Sequence, residues 1–179
     1  MAIDKVTSAA ITTDAVGPTQ LNQASNYAFT GTVTGAGETL KPAFRAKLSS
    51  VQSVSSSTWV KAQFDTELFD TDNNYDNSTN YRFTPTTAGK YFIFGQIRHE
   101  WTSDWGHSNH IAIYKNGSEY VKNEFYGNGS GVQNYKASLV TDILDFNGSS
   151  DYVEIFGWSN SSGSQFASNH TFFGAYKLF

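Results

Sequence analysis

The stretch GKYFIFGQIRHEW, residues 89–101, alternates like a β-strand but is apolar on both of its faces. Successive side chains of a strand point to opposite sides of its sheet, so Tyr91 and Ile93 share one face. Phe92 and Phe94 lie on the other face, ahead of polar side chains. A two-layer sandwich buries only the inner face of each sheet. The second apolar face therefore predicts a cover from outside the sandwich.

The closing stretch TFFGAYKLF, residues 171–179, repeats this two-sided pattern. The economical cover is another copy of the chain, because apolar patches mark association sites and most oligomers are symmetric. Each buried Phe or Tyr contributes about 1.5–3 kcal/mol. The alternative is that these rings are exposed singly, which is common. We expect the interface between copies to contain Tyr91, Phe92, Phe94, Phe172, Phe173 and Tyr176.

The composition favours an all-β domain. Aromatic residues make up 16% of the 179 residues and there is a single Met, and aromatic and β-branched residues favour the pleated surface of a sheet. The length suits one domain with an extension. The absence of Cys excludes disulfides and thiolate metal sites. The formal net charge of −4 argues against non-specific binding to nucleic acid.

Neither export nor membrane insertion is expected. The first residues carry neither the basic segment nor the apolar segment of a signal peptide. No apolar run approaches the ~20 residues that a membrane-spanning helix needs.

Strand and turn signals alternate from residue 42 onward. The clearest hairpin signal is HIAIYKNGSEYVKNEF (110–125), in which Asn116 and Gly117 supply the positive φ of a tight turn. Roughly eight to ten strands joined by turns predict a sandwich or jelly roll. The strands are expected within 42–49, 59–69, 81–101 (two strands), 110–125 (two strands), 134–146, 151–159 and 170–179.

Residues 1–41 differ from the rest of the chain, since they are rich in Thr, Ala and Gly and contain only two aromatic residues. A segment this polar cannot bury a core of its own. We interpret 1–41 as an N-terminal anchoring arm and 42–179 as the domain. The anchoring side chains of the arm are predicted to be Val16, Pro18, Leu21, Tyr27 and Phe29.

The domain resembles the C1q family. Its segment NNYDNSTNYRFTPTTAGKYFIFGQI (73–97) is similar to the central family signature, a loop leading to a Phe, a Pro-Gly turn and a Tyr-Phe strand. IYKNG (113–117), the paired strands of 138–155 and TFFGAYKLF resemble later segments in the same order. The resemblance implies a ten-stranded jelly roll of the C1q/TNF type, assembled as a homotrimer. The matching signature positions are Tyr75, Asp76, Thr79, Phe83, Pro85, Gly89, Tyr91 and Phe92.

The arm resembles N-terminal segments of tailed-bacteriophage virion proteins, fibres in particular, over residues 10–23 and 27–37. This resemblance implies a non-enzymatic virion structural protein, assembled in the host cytoplasm and carried on the virion surface. Its trimeric knob would be a capsid decoration held by the arm to other virion proteins. Two alternatives remain open: a tail-fibre tip or receptor-binding adhesin for a host surface glycan or protein, and a free bacterial C1q-like lectin.

No motif for catalysis is present, and we expect neither catalytic residues nor a required cofactor. His107 and His110 have a spacing that suits a metal site. The alternative is that they lie in a polar loop at one end of the sandwich. Asp70, Asp72 and Asp76 form a weak calcium candidate. An EF-hand fails, because its Gly and Glu positions are occupied by Tyr75 and Tyr81. The alternative is an Asx-rich turn.

Aromatic and His residues at strand ends and in polar loops are the candidates for recognition. Trp and Tyr in such settings suit sugar faces and protein hot spots. The alternative is that they fill the rim of the core or the interface between copies. The predicted ligand surface comprises Trp101, Trp105, His107, His110, Tyr126 and Trp158.

Overall fold

The structure is a computed structural model that describes residues 42–101, 107–127, 135–168 and 170–179. Within these ranges the chain forms strands and no helix. The described residues accordingly contain no helix able to cross a bilayer. The strands are β1 (Ala43–Lys47), β2 (Gln52–Ser53), β3 (Val60–Lys61), β4 (Thr66–Asp70), β5 (Tyr75–Asp76), β6 (Arg82–Phe83), β7 (Gly89–Glu100), β8 (Asn109–Lys115), β9 (Ser118–Phe125), β10 (Tyr135–Phe146), β11 (Val153–Ser159), β12 (Gln165–Phe166) and β13 (Phe172–Lys177).

These strands form two antiparallel sheets packed as a jelly-roll sandwich, which confirms the predicted all-β jelly-roll fold, although the described residues form thirteen strands and not the eight to ten expected. Sheet I contains β1, β2, β4, β7, β10, β12 and β13, with β7 at its centre between β10 and β13. Sheet II contains β3, β5, β6, β8, β9 and β11, in which β11 lies beside β8 and β8 beside β9. Neighbours in each sheet are mostly distant in sequence, as in Greek-key connections.

Aromatic packing joins the two sheets through the core. The Phe44 ring of sheet I stacks on Tyr75 and Phe83 of sheet II at centroid distances of 4.6 and 4.5 Å. Its edge also meets the Phe173 ring at 4.8 Å. Along β7 every second residue is fully buried, and the side chains between them are half-buried on the outside of the sandwich. The alternation expected for 89–101 is therefore confirmed.

The predicted turn between β8 and β9 is confirmed by φ angles of 52° at Asn116 and 79° at Gly117. The Asn116 side chain also holds the neighbouring β10–β11 connection. It donates a hydrogen bond to Asp151 at 2.8 Å and accepts one from the Tyr152 N–H at 2.9 Å. Asn is thus favoured here both by its backbone conformation and by its amide.

The single strand predicted over 59–69 is wrong. Residues 60–61 pair with β11 of sheet II, whereas 66–70 pair with β1 of sheet I. The chain crosses between the sheets at 62–65, where Ala62 and Phe64 are buried in the core. An alternation of apolar and polar residues continues through such a crossing, so it does not mark the change of sheet. The short strands β2, β5 and β12 carry no periodic signal and were not predicted.

Candidate functional site

The outer side of sheet I presents a largely apolar surface, interrupted by Gln96 and Thr141, which we call the apolar face. It crosses the sheet from β10 through β7 to β13. Ile143 is in register with Phe92, and Phe92 with Tyr176. Ile143 and Leu139 of β10 are about half exposed, at 50% and 49%. The face comprises Phe92, Phe94, Leu139, Ile143, Phe172 and Tyr176.

Gly174 allows the rings of this face to lie close to the sheet. It is in register with Phe94, and a Cβ at this position would overlap the end of the Phe94 ring and approach the Phe44 carbonyl oxygen at 2.9 Å. Phe94 is therefore packed over the β13 backbone. Its ring centroid lies 6.1 Å from that of Phe92 and 6.2 Å from that of Phe172.

Two arginines border the apolar face without a full set of hydrogen-bond acceptors. The Arg45 guanidinium lies over the Phe172 ring at 4.8 Å, and that of Arg98 over Tyr135 at 4.3 Å. Arg98 also pairs with Glu100 at 2.9 Å. The Nε atoms of both arginines are buried and find no acceptor among the residues that the structure describes. A buried donor without an acceptor costs free energy.

Two residues of the predicted interface belong to the core instead. Tyr91 is fully buried and donates its hydroxyl hydrogen bond to the Thr87 carbonyl at 2.7 Å. Phe173 is fully buried against Phe44 and Phe64. On β7, Tyr91 points to the opposite side of the sheet from Phe92, and on β13 Phe173 points to the opposite side from Phe172. The alternation of side chains along each strand therefore places both in the core and not at the predicted interface. Phe92, Phe94, Phe172 and Tyr176 lie on the outside as expected.

The outer side of sheet II carries a second set of rings, which we call the aromatic cluster. Tyr114 stacks on Phe156 with centroids 4.1 Å apart, and His110 on Trp158 at 4.5 Å. Trp59 lies 6.2 Å from both His110 and Tyr114, so it joins the two stacks. The cluster comprises Trp59, His110, Tyr114, Tyr126, Phe156 and Trp158.

The register of sheet II explains why these side chains meet. His110 is opposite Trp158, and Ala112 is opposite Phe156. On a strand, residues 110, 112 and 114 share one face, as do 154, 156 and 158. Ala112, opposite Phe156, is completely buried although it points outward. The cluster is therefore a packed layer on the outside of the sheet.

The predicted ligand surface agrees with this cluster only in part. Tyr126 is 67% exposed and Trp158 half-buried, whereas His110 is buried beneath its neighbouring rings. Trp101 is wrong as a surface residue, because its ring is buried at the end of β7 with His107 against it at 5.4 Å. Trp105 lies outside the described residues. Trp59, Tyr114 and Phe156 were missed, although the alternation of 110–114 and 154–158 carries part of the signal.

His99 is an unpredicted titratable group in the core. Its side chain points inward from β7, is fully buried and packs edge-on against the Phe166 ring at 5.2 Å. Neither ring nitrogen of His99 has a hydrogen-bond partner among the described residues. Burial lowers the pKa of His99 to about 4, and the nearby His110 backbone offsets this only in part. The His110 ring contributes a further lowering through charge repulsion. His99 is therefore neutral in the folded protein near neutral pH.

The candidate calcium ligands are largely engaged in holding their own loop. Asp76 accepts hydrogen bonds from the backbone N–H groups of Ser78, Thr79 and Asn80 at 2.9–3.1 Å. These bonds are the main reason that the pKa of Asp76 lies far below its usual value. Asp70 accepts from the Asp72 and Tyr75 N–H groups at 3.2 and 2.7 Å. This is the geometry of Asx turns.

The described part of the chain brings together no three His, Asp or Glu side chains that could hold a metal ion. The predicted anchoring residues Val16, Pro18, Leu21, Tyr27 and Phe29 lie outside the described residues.

Comparison with known proteins shows the fold. No family model matches the chain, and no curated protein matches it. Among solved structures, the Eiger TNF of S. frugiperda superposes with a TM-score of 0.53 at 12% identity, covering 76% of this chain and 90% of that one. Murine APRIL superposes with a TM-score of 0.54 at 8% identity, covering 76% and 98%. At these identities the likeness establishes a jelly roll of the TNF type and nothing finer.

Proposed function

We propose that the protein is a non-enzymatic homotrimer, displayed on the surface of a tailed-bacteriophage particle through residues 1–41 and acting as a capsid decoration. The main support for a trimer is the apolar face of sheet I. Its six apolar side chains are half-buried or exposed in a single chain, and contiguous patches of this kind mark association sites. The TNF-type fold supports the same arrangement, and the virion assignment rests on the resemblance of the arm.

The two arginines beside the face support self-association independently of its apolar area. The Nε donors of Arg45 and Arg98 are already removed from water in the single chain and have no acceptor among the described residues. A second copy that supplies a carboxylate or carbonyl oxygen would relieve this cost.

Measurement of mass in solution tests the trimer. Ile143 is half exposed in the single chain, so Ile143→Asp costs the fold little, but it buries a charge if copies meet on this face. We expect a trimer for the wild type and a folded monomer for Ile143→Asp by sedimentation equilibrium. Tyr120→Asp is the matched control, because Tyr120 is 54% exposed on β9 of the other sheet. A monomeric wild type, or a trimer that tolerates Ile143→Asp, would refute the assembly.

The anchoring role of the arm is tested with purified virions that lack the protein. The full-length chain is expected to bind them, and a chain lacking residues 1–41 is expected to remain trimeric without binding. Undiminished binding of the shortened chain would remove the arm from the proposal.

A receptor-binding adhesin at a tail-fibre tip is the second candidate. The aromatic cluster of sheet II favours it, because copies that meet through sheet I leave this cluster facing outward. Immunogold labelling of particles separates the two: capsid labelling supports decoration, and labelling at fibre tips supports the adhesin. A protein that labels neither site but circulates as a free trimer would instead fit a bacterial lectin.

A further inference from the structure

The aromatic cluster of sheet II differs chemically from the apolar face of sheet I. Its rings carry polar atoms that are not used within the described residues. The indole N–H groups of Trp59 and Trp158 and the Tyr114 hydroxyl make no hydrogen bond there. All three side chains are half-buried rather than buried, so part of each reaches solvent. The cluster therefore offers ring surface and directional donors together.

Charged side chains border the cluster in internally balanced groups. Lys61 pairs with Glu154 at 2.6 Å and donates a further hydrogen bond to the Asn80 carbonyl. Lys122 pairs with Glu124 at 3.1 Å and with Glu119 at 3.5 Å. Each lysine around the cluster is neutralised by a neighbour, and the carboxylates outnumber the lysines. A phosphate, sulfate or sialic-acid group would therefore compete with these carboxylates for both lysines, and another cation of sheet II, Arg82, is stacked on the Tyr152 ring at 4.3 Å.

Tyr126 extends the cluster toward solvent. Its ring lies 5.0 Å from that of His110, and Glu124 is in register with His110 on the neighbouring strand. A carboxylate beside an exposed ring is an acceptor for ligand hydroxyl groups. The Glu124 side chain is about one-third exposed, so it remains reachable while paired with Lys122.

We propose that the aromatic cluster binds a neutral carbohydrate. The apolar C–H face of a pyranose ring packs against aromatic side chains, while its hydroxyl groups need donors and acceptors at the edge of the same surface. Trp59, Trp158 and Tyr114 supply the donors, and Glu124 supplies an acceptor. The pairing of Lys61 and Lys122 with carboxylates favours neutral over acidic sugars at this surface. This site is on the opposite side of the sandwich from the apolar face and does not rest on the trimer.

The cluster is an open surface, so each copy is expected to bind weakly, with a Kd of roughly millimolar. The test therefore uses the full-length chain with maltohexaose, cellohexaose, galactohexaose and mannohexaose as neutral probes and a heparin hexasaccharide as the acidic probe. Saturation-transfer NMR and titration of Trp fluorescence report binding. We expect saturable binding of at least one neutral probe and none of heparin at physiological salt.

Substitutions in the cluster locate the site. Trp158→Ala and Tyr126→Ala are each expected to weaken binding at least tenfold, and Trp158→Phe to retain more of it because the ring remains. Tyr126 is exposed, so its removal leaves the fold intact even where Trp158→Ala does not. Tyr120→Ala on the same sheet is the matched control and is expected to bind like the wild type.

Several outcomes would overturn the inference. These are the absence of binding for all four neutral probes, undiminished binding by Tyr126→Ala, and binding restricted to heparin that salt abolishes. A change of oligomeric state in Tyr126→Ala, with no saccharide bound by the wild type, would assign the cluster to contacts between chains instead. This test does not depend on whether the protein is a trimer, because binding of the saccharide probes can be measured in any oligomeric state.

Discussion

Acidification is expected to destabilise the domain through His99, beginning above the pH at which carboxylates titrate. The folded protein holds this side chain neutral with a pKa of about 4, whereas an unfolded chain has a His pKa near 6.5. The free energy of unfolding carries no penalty from His99 above about pH 6.5, where the side chain is neutral in both states. Stability is lost as the pH falls toward 4, because the unfolded state binds the proton first.

The size of the effect follows from the separation of these two pKa values. One pKa unit corresponds to about 1.4 kcal/mol, so the full loss is about 3 kcal/mol. At pH 5, His99 is almost fully protonated in the unfolded chain but mostly neutral in the folded protein. About 2 kcal/mol of the stability has therefore been lost by pH 5. For a domain of this size, the unfolding midpoint is expected to fall by about 5–10 °C.

Urea unfolding of the full-length chain at pH 7.5, 6 and 5 measures this loss. His99→Leu removes the titrating group while keeping an apolar contact with Phe166. The variant is expected to lose most of this pH dependence, and the remainder comes from His110, whose pKa burial also lowers. His170→Asn, at an exposed position whose φ of 69° Asn tolerates, is expected to show the pH dependence of the wild type. Carboxylates such as Asp65 affect wild type and variant alike. An equal pH dependence in wild type and His99→Leu would refute the argument.

Three further changes test the packing and the assembly. Gly174→Ala is expected to cost about 1–3 kcal/mol by overpacking against Phe94, measured by urea unfolding, and Phe94→Ala in the same chain should restore part of the loss. Asp76→Ala leaves its loop N–H groups without their acceptor and is expected to cost about 1–3 kcal/mol. Asp76→Asn, which keeps one acceptor oxygen, should cost less, and an effect within about 0.5 kcal/mol for Asp76→Ala would contradict the role of the turn. Ile143→Ala removes roughly 1 kcal/mol of interface burial per copy. It is therefore expected to weaken the trimer association constant by about 100-fold, whereas an unchanged constant would place the interface elsewhere.

Much of sheet I could be predicted from the sequence because its strands are long and regular. The alternation of side chains along residues 89–101 assigns Ile93 and Phe94 to opposite sides of the sheet, without knowledge of which strands lie beside it. The structure places Ile93 inside and Phe94 outside, as expected. The hairpin at Asn116 and Gly117 carries its own backbone signal. Both features depend only on residues that are close together in the chain, so they can be predicted from a single sequence.

The aromatic cluster could not be predicted in full, because its members are brought together by register rather than by local pattern. Trp59 follows a Ser-rich loop and precedes a two-residue strand, so nothing near it in sequence indicates that it lies 6.2 Å from Tyr114. Whether Phe156 meets Tyr114 depends on the pairing of β8 with β11. Trp101 shows the opposite failure, since a Trp at a strand end can close the core as readily as it can face solvent.

The two outer faces of this sandwich suit different kinds of contact for a physical reason. On the apolar face, Phe92, Phe94 and Ile143 carry no polar atoms in their side chains, so a partner gains most by excluding water from all of them at once. In the aromatic cluster, the free donors of Trp59 and Trp158 would be left unsatisfied beneath a flat apolar partner, and that would cost free energy. A ligand with its own hydroxyl groups satisfies them. A jelly roll that associates through sheet I therefore keeps sheet II available for a polar ligand, and the same chain can assemble and bind at once.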